Sequence, residues 1–173
     1  MSNDKKPYFP LFVDLNEKQI VVVGAGTIAK RRIRTLVSFT NHLTVIAPEV
    51  NRELLDMEKA GMLRIKRKNY ERKDIYDADY VIAATNDHQI NSDIYSACKC
   101  MGITVNVCSD KTKCDFYFPG IAKDGDTVVG ITSGGGDHRL AAKISVAVRQ
   151  ILRTIARKTV EKIRSIFPEE ELK

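Results

Sequence analysis

A glycine turn directly after a short apolar segment places the strongest constraint on what this chain can fold into. Residues 20–23 read Ile-Val-Val-Val, and residues 24–29 read Gly-Ala-Gly-Thr-Ile-Ala. An apolar run without alternation is typical of a strand buried on both faces of a parallel sheet. After the turn, Ile28, Arg32 and Leu36 recur at helical spacing with their neighbours. The segment therefore predicts a buried strand, a tight turn and a helix in succession.

The small residues of this turn suit the binding of a dinucleotide. Gly24 permits the tight turn, Gly26 lets the backbone approach a pyrophosphate, and Ala29 allows close packing of helix on strand. The backbone N–H groups and the positive dipole end of the helix favour phosphate groups. Glycine turns also occur as plain strand–helix connections, so the context must decide between the two. We predict that NAD is bound by the six turn residues Gly24, Ala25, Gly26, Thr27, Ile28 and Ala29.

Strand-like and helix-like segments alternate up to about residue 112. A second strand, Leu43–Ala47, completes a βαβ unit of about 30 residues. The further segments are a helix at 51–60, a strand at 62–66, a helical turn at 72–75, a strand at 80–85, a helix at 91–101 and a strand at 103–107. Such alternation predicts an α/β fold with a Rossmann-like, doubly wound parallel sheet. We expect residues 1–112 to form one NAD-binding domain.

The pattern changes after this domain. Two β-type runs, 116–121 and 127–132, flank a turn-like Lys-Asp-Gly-Asp segment, which predicts a β-hairpin. From Leu140 onward, apolar residues recur at helical intervals until Pro168. A hairpin and a helix bury little core by themselves. We therefore expect residues 113–173 to be a dimerisation segment that packs on a second copy of the chain.

Polar residues follow the predicted strands at the edge of the sheet where ligands of this fold bind. Glu49 lies near the distance of roughly 20 residues at which a carboxylate binds the ribose hydroxyls. It favours NAD over NADP because a 2′-phosphate would meet a like charge, whereas the nearby Arg52 opposes this preference. For Asn86 and Asn106, ordinary loop polarity is the alternative interpretation. Further cofactor contacts are predicted for Pro48, Glu49, Thr85, Asn86 and Asn106.

Length and composition exclude several classes of protein. A chain of 173 residues allows one domain with a short appendage, but not two full enzymatic domains. With 43% hydrophobic and 29% charged residues, the composition excludes disordered, collagen-like and disulfide-scaffold chains. The net charge of +6 favours an acidic partner, which leaves nucleic acid, an anionic membrane or a polyanionic small molecule open.

Neither a membrane span nor a metal site is expected. No segment approaches the roughly 18–20 uninterrupted apolar residues of a span, and the polar start lacks the apolar region of a signal peptide. A cytoplasmic location is therefore predicted. The spacing of the cysteines matches neither a zinc ribbon nor a redox CxxC motif, so we expect reduced thiols. The cysteines are Cys98, Cys100, Cys108 and Cys114.

An ordered series of motifs carries a family resemblance from about residue 9 to residue 150. The segments are 10–15 (Pro-Leu-Phe-Val-Asp-Leu), 21–29, 43–49 (Leu-Thr-Val-Ile-Ala-Pro-Glu), 83–87 (Ala-Ala-Thr-Asn-Asp), 105–108 (Val-Asn-Val-Cys), 114–119 (Cys-Asp-Phe-Tyr-Phe-Pro) and 131–136 (Ile-Thr-Ser-Gly-Gly-Gly). This series resembles the precorrin-2 dehydrogenases of siroheme synthesis, including the dehydrogenase module of multifunctional siroheme synthases. An ordered series is far more specific than a single glycine motif.

The resemblance implies NAD-dependent oxidation of precorrin-2 to sirohydrochlorin by a homodimer, without a nucleic-acid or membrane partner. Some family members also insert iron into the product. Precorrin-2 carries eight carboxylates, which suits a basic chain, and basic residues of the C-terminal helix are candidates to bind them. Two other functions stay open: a non-catalytic NAD-sensing module, and a nucleic-acid binder that uses Arg149, Arg153 and Arg157 but lacks interleaved aromatic residues.

The resemblance also suggests candidate catalytic residues. In bifunctional members, an aspartate three residues after the asparagine of the Asn-Val motif serves both reactions. This chain has Ser109 at that position and Asp110 one residue later, so Asp110 is our main candidate for proton relay or orientation. Asp115 matches the family more directly, with a turn-capping role as the alternative. His138 stands where the family usually has a Ser-Pro pair, and it is either a substrate contact or a structural residue.

Overall fold

The computed structural model describes residues 8–134 and 137–166, with the side chains of His138 and of residues 156–166 left out. The described chain folds into two compact units. One unit is residues 11–118, which extends past the predicted domain boundary at residue 112. The other contains residues 8–10 and the described residues from 119 onward.

The larger unit is a five-stranded parallel sheet with the strand order β3-β2-β1-β4-β5. It confirms the predicted α/β, Rossmann-like class. Its elements are β1 (Ile20–Val23), α1 (Thr27–Leu36), β2 (Leu43–Ile46), α2 (Arg52–Lys59), β3 (Arg64–Lys66), β4 (Tyr80–Ala83), α3 (His88–Met101) and β5 (Thr104–Val107), with short 3-10 helices at Arg72–Ile75 and Lys111–Lys113.

Strand β1 forms the centre of the sheet because all four of its residues are apolar and buried. It pairs in parallel with β2 on one side and with β4 on the other. Ile20 and Val22 face the core formed with α1 and α2, whereas Val21 and Val23 face the core formed with α3. A strand with helices on both faces must be apolar at every position, which is why β1 shows no alternation.

Helix α3 begins three residues earlier than the sequence predicted. Asp87 caps it, and its carboxylate accepts hydrogen bonds from the backbone N–H groups of Gln89 at 2.7 Å and Ile90 at 3.2 Å. The predicted start, Asn91, therefore lies within the first turn of the helix, and its side chain is buried at 1% exposure. The helix ends at Gly102, whose φ of 70° is left-handed.

The smaller unit holds an antiparallel hairpin, β6 (Gly120–Asp124) and β7 (Thr127–Ile131), and the long helix α4 (His138–Ile166). Strand and helix approach closely, because a Cβ on Gly120 would lie 2.3 Å from the hydroxyl of Ser145. Asp137 precedes the helix and accepts from the backbone N–H of Leu140 at 2.9 Å. The predicted helix end at Pro168 lies outside the described residues.

The first hairpin strand was predicted to begin at Phe116, and this was wrong. Phe116 and Phe118 belong to the larger unit, where the Phe116 ring packs edge-on against Tyr80 at 6.0 Å. The carbonyl of Phe116 accepts a hydrogen bond from the Asn106 side chain at 2.7 Å. Aromatic residues have high strand propensity, but here they cover the Rossmann sheet and the ladder starts only after Pro119.

Two further findings concern the described residues alone. None of their helices is both long and apolar enough to cross a membrane. All four cysteines carry free thiols, with Cys98 buried and Cys100 exposed.

Candidate functional site

The glycine turn after β1 lies against the end of β4. Gly24 has a φ of 110°, and a Cβ at this position would lie 2.3 Å from the carbonyl oxygen of Ala84 and 3.0 Å from the backbone nitrogen of Thr85. Its own N–H donates to the carbonyl of Ile46 at 2.8 Å. Both the left-handed backbone and the close contact exclude a side chain. Gly24 is therefore required by the fold itself.

Gly26 has a different role. Its φ of −70° is accessible to any residue, and the nearest described atom that a Cβ there would meet is Asn86 Oδ1, at 4.0 Å. It is the N-cap of α1, and no described side chain caps this helix. The first intrahelical bond is donated by Lys30, so the N–H groups of Thr27, Ile28 and Ala29 precede it. An anionic group therefore fits at this helix end.

The four other turn residues divide between exposed and core-facing positions, with Ala25 partly buried against the core between α1 and the sheet. Thr27 is exposed and Ile28 is 48% exposed at the open end of the helix. Ala29 is completely buried and packs with Ile33 and Val22 in the core between α1 and the sheet. This placement matches the predicted use of a small residue for helix–strand packing.

Pro48 and Glu49 follow β2 at the same edge of the sheet. Ala47 is buried and its N–H donates to the carbonyl of Lys66 at 3.2 Å, after which the chain becomes exposed at both residues. Arg52, which could have offset the charge of Glu49, has a side chain that is 94% exposed and lies 4.0 Å from the Asp56 carboxylate. The carboxylate of Asp56 thus competes for this cation.

The loop after β4 is organised by Asn91. The Asn91 Oδ1 atom accepts from the backbone N–H of Thr85 at 3.1 Å and lies 2.8 Å from the Thr85 hydroxyl. Its Nδ2 atom donates to the Thr85 carbonyl at 3.0 Å and to the hydroxyl of Ser109 at 3.2 Å. Asn86, the next residue, is exposed beside Gly26. The structure therefore brings Thr85 and Ser109 together at one buried amide, with Asn86 next to Thr85 in the chain.

Sequence reasoning did not identify Asn91 as a site residue. One feature of the sequence could have identified it: an asparagine lies one helical turn after the cap residue Asp87. Asparagine side chains at helix starts often form hydrogen bonds with nearby backbone groups. Because the hydrogen bond to Ser109 spans 18 positions of the chain, the pattern of neighbouring residues does not predict it.

Asn106 lies within β5 and is 3% exposed. Its Nδ2 atom donates to the carbonyl of Phe116, and its Oδ1 atom accepts from the guanidinium of Arg32. The Arg32 guanidinium also lies over the Phe118 ring, with Cζ 5.0 Å from the ring centroid. Burial lowers the pKa of Arg32. Both ends of the Asn106 amide are thus bonded within the fold, which gives it a structural role beside its predicted cofactor role.

Ser109 and Asp110 form the loop after β5. The Asp110 Oδ1 atom accepts from the backbone N–H of Thr112 at 2.9 Å and from its hydroxyl at 2.7 Å. These bonds, with the Lys113 ammonium 3.9 Å from Oδ2, hold the pKa of Asp110 below its usual value. Asp110 is therefore a carboxylate at neutral pH, which suits it to orient a ligand or to accept a proton briefly.

The two other catalytic candidates lie elsewhere. Asp115 pairs with the middle of β5, where its carboxylate accepts from the backbone N–H of Val105 at 3.0 Å and from the Lys99 ammonium. Burial acts to raise the pKa of Asp115, but these two donors outweigh it and the pKa is lowered. His138 begins helix α4 in the smaller unit, and its side chain lies outside the described residues.

Comparisons with known proteins agree with this arrangement. A family model described as "Putative NAD(P)-binding" matches residues 11–120. The chain is 38% identical over 144 residues to the "Probable multifunctional siroheme biosynthesis protein HemA" of Ruminiclostridium josui, and 31% identical over 145 residues to a siroheme synthase of Mannheimia succiniciproducens. These alignments cover 83% and 84% of this chain but only 28% and 30% of the two relatives, so it spans less than a third of their length.

A solved structure described as "SirC, precorrin-2 dehydrogenase" is similar to this chain, with a TM-score of 0.73 and 28% sequence identity. The match covers 83% of this chain and 70% of that chain.

Proposed function

This chain belongs to the NAD(P)-binding family whose model spans residues 11–120, and on that premise we propose that it oxidises precorrin-2 to sirohydrochlorin with NAD. The observation that carries the proposal is the open N-terminus of α1 between Gly26 and the Asn86 side chain, in a chain that resembles a precorrin-2 dehydrogenase. A turn that served only to connect strand and helix would gain nothing from a glycine at position 26.

The residues present fit a bound NAD. The N–H groups at the start of α1 would hold the pyrophosphate, and Glu49 would accept hydrogen bonds from the ribose hydroxyls. Thr85 and Asn86, which border the glycine turn, would contact the remainder of the cofactor. When bound, NAD supplies the acceptor for the hydride that leaves the tetrapyrrole.

The oxidation removes a hydride and a proton from precorrin-2. The protein therefore has to orient the substrate and receive or pass on the proton. Asp110 suits this because it is ionised at neutral pH and its Oδ2 atom is more than hydrogen-bond distance from Lys113.

Enzyme assays test the proposal directly. Purified protein is incubated anaerobically with precorrin-2 and NAD, while the absorbance of sirohydrochlorin and of NADH is followed. We expect both to rise together, with NAD rather than NADP as the efficient oxidant. Binding of NAD without any turnover would instead support the NAD-sensing module. A mobility shift of nucleic acid that depends on Arg149 and Arg153 would support the third interpretation.

Asp110 is tested with a variant and a matched control. We expect Asp110→Ala to lower kcat by about a hundredfold, a typical contribution of a positioned proton-transfer group. Thr112→Val removes the hydroxyl bond to Asp110 but keeps the bond from the backbone N–H. It controls for the loss of a side-chain bond in this loop with the carboxylate retained, and it is expected to stay close to the wild-type rate. A full rate in Asp110→Ala excludes this carboxylate from the chemistry.

Iron insertion stays a prediction from the resemblance. It is measured by adding Fe²⁺ to the completed oxidation under anaerobic conditions and following the spectrum of siroheme. In that reaction the metal is a substrate, and the tetrapyrrole nitrogens become its ligands.

A further inference from the structure

The side-chain amide of Asn91 connects the two loops that follow β4 and β5. It is 1% exposed, and both of its polar atoms are bonded. Two of its contacts hold the backbone of Thr85 from both sides, through the N–H at 3.1 Å and the carbonyl at 3.0 Å. A further contact reaches the Ser109 hydroxyl at 3.2 Å. One buried side chain thus sets the distance between two loops.

Each of these loops borders a part of the candidate site. The backbone nitrogen of Thr85 lies 3.0 Å from the position of a Cβ on Gly24, and Asn86 Oδ1 lies 4.0 Å from that of Gly26. Ser109 immediately precedes Asp110. A shift of the amide would therefore move the wall of the glycine turn and the loop with the proposed proton-transfer carboxylate together.

We propose that Asn91 is a positioning residue for NAD binding and for turnover, acting through Thr85 and Ser109. The inference rests on the proposed function for its effect on turnover, whereas its effect on NAD affinity stands on the fold and the glycine turn alone. Because the amide is buried, its removal leaves the backbone N–H and carbonyl of Thr85 without these hydrogen bonds, and we expect the loop to rearrange.

The amide is suited to this task because it offers an acceptor on one side and a donor on the other. A carboxylate of the same shape keeps the acceptor that faces the Thr85 N–H. It places a second oxygen against the Thr85 carbonyl, which repels it. Protonation of that oxygen restores a donor, so Asn91→Asp converts the position into one that depends on pH.

Several ionisable groups lie close to this position. The Asp87 carboxylate caps the helical turn that contains Asn91, and the backbone carbonyl of Asp87 accepts the N–H of Asn91 at 3.1 Å. His88 lies in the same turn, and Lys113 donates to the neighbouring Ser92 at 2.9 Å. Asp110 follows Ser109 in the facing loop. All four groups are also present in the wild type. The NAD dissociation constant of Asn91→Asp is therefore compared with that of the wild type at each pH.

The experiment measures the NAD dissociation constant by calorimetry, and kcat and KM with precorrin-2, for the wild type, Asn91→Ala, Asn91→Asp and Ser96→Ala. Ser96 is the control because it lies on the same helix, is exposed and donates only to the carbonyl of Ser92 in the hydrogen bonds described. We expect Asn91→Ala to weaken NAD binding at least about tenfold and to lower kcat, with Ser96→Ala unchanged. Melting curves confirm that each variant is folded at the assay temperature.

Asn91→Asp provides the second readout, which also serves if Asn91→Ala does not fold. We expect weak NAD binding at high pH and recovery toward the wild-type value as the pH falls, because burial raises the pKa of a carboxyl group. A merely structural role predicts a lower melting temperature with unchanged NAD affinity of the folded protein. NAD affinity within twofold of the wild type in the folded Asn91 variants at every pH overturns the inference. A wild type that binds NAD but does not oxidise precorrin-2 refutes the proposed function, while the affinity measurements still decide on Asn91.

Discussion

Gly24 and Gly26 stand two residues apart in the same turn, but their surroundings differ. Gly24 combines a φ of 110° with the carbonyl of Ala84 in the space that a Cβ would need. Gly26 has an ordinary φ and open space on the side of the helix N-terminus. The first glycine is therefore a requirement of folding, whereas nothing in the described fold requires the second, for which we propose a role in binding the cofactor.

Alanine substitutions separate these two roles. We expect Gly24→Ala to lower the free energy of unfolding by more than about 2 kcal/mol, from the left-handed backbone and the clash together. Gly26→Ala should leave it within about 0.5 kcal/mol of the wild type and weaken NAD binding at least about tenfold. Urea denaturation and calorimetric titration measure the two quantities. Equal NAD affinity in Gly26→Ala and the wild type would contradict the cofactor role of this residue.

Glu49 is expected to set the preference between the two nicotinamide cofactors. Its carboxylate follows β2, whereas the Arg52 guanidinium lies 4.0 Å from Asp56. We expect Glu49→Ala to reduce the preference for NAD over NADP by about tenfold, because the 2′-phosphate no longer meets a like charge. The dissociation constants of both cofactors test this, with the exposed Glu17→Ala as the control for a general change in charge. An unchanged ratio in Glu49→Ala would remove the carboxylate from the ribose site.

At the scale of the element, the edge strand β5 has backbone groups at Val105 that are hydrogen-bonded by a single residue, Asp115, instead of by another strand. Asp115 donates its backbone N–H to the carbonyl of Val105 at 2.9 Å, and its carboxylate accepts from the N–H of the same residue. Unpaired strand edges invite association with other chains, so a paired edge protects the sheet. Asp115 is thus engaged in holding the strand, whereas Asp110 lies in the loop at the carboxyl edge.

We expect Asp115→Ala to lower the free energy of unfolding by about 1 kcal/mol near neutral pH, since it removes a part-buried bond to the backbone and the Lys99 pair. The pKa of Asp115 is lowered in the folded state, so its stabilisation is present above the unfolded value and is lost as the pH falls through the folded value. Urea denaturation from about pH 7 down to about pH 3 should therefore show the difference from the wild type shrinking.

The exposed Asp77→Ala is the control in the same unit. The kcat of Asp115→Ala should stay near the wild-type value. A large loss of kcat in a stable Asp115→Ala protein would return this residue to the catalytic candidates.

At the scale of the whole molecule, the positive charge is distributed unevenly. The basic residues between positions 64 and 73, which follow α2, are largely paired with carboxylates. Arg67 pairs with Glu58 at 2.6 Å, Lys68 with Asp74 at 3.1 Å and Lys73 with Glu71 at 2.6 Å. Basic residues of α4 such as Arg139 and Arg153 are exposed. Arg31, Lys59, Arg64 and Lys111 of the larger unit are exposed as well, so a small polyanion would meet exposed positive charge on each of the two units.

Helix α4 also exposes an apolar stripe. Leu140, Ile144, Ile151 and Ile155 are 40% to 57% exposed and fall within about 60° of one another around the helix axis. Exposed apolar stripes often mark contacts between proteins, so we expect this stripe to be buried in the predicted homodimer. Sedimentation velocity should show a dimer for the wild type and a shift toward monomer for Ile151→Asp. The neighbouring Gln150→Asp adds the same charge beside the stripe and should stay dimeric. A wild type that is monomeric at assay concentrations would contradict the dimer.

By itself the sequence was sufficient to determine the parallel sheet, the order of its elements and the position of the glycine turn. These depend on local patterns: an apolar run for a strand buried on both faces, glycine where φ is positive, and helical spacing between them. The tertiary structure alone decided that Asn91 and Asn106 are buried, that Phe116 covers the sheet instead of starting the hairpin, and that Asp115 completes β5. Each of these depends on a hydrogen bond or ring contact between residues distant in the chain, and the burial of a polar side chain follows from the partners that the fold brings to it.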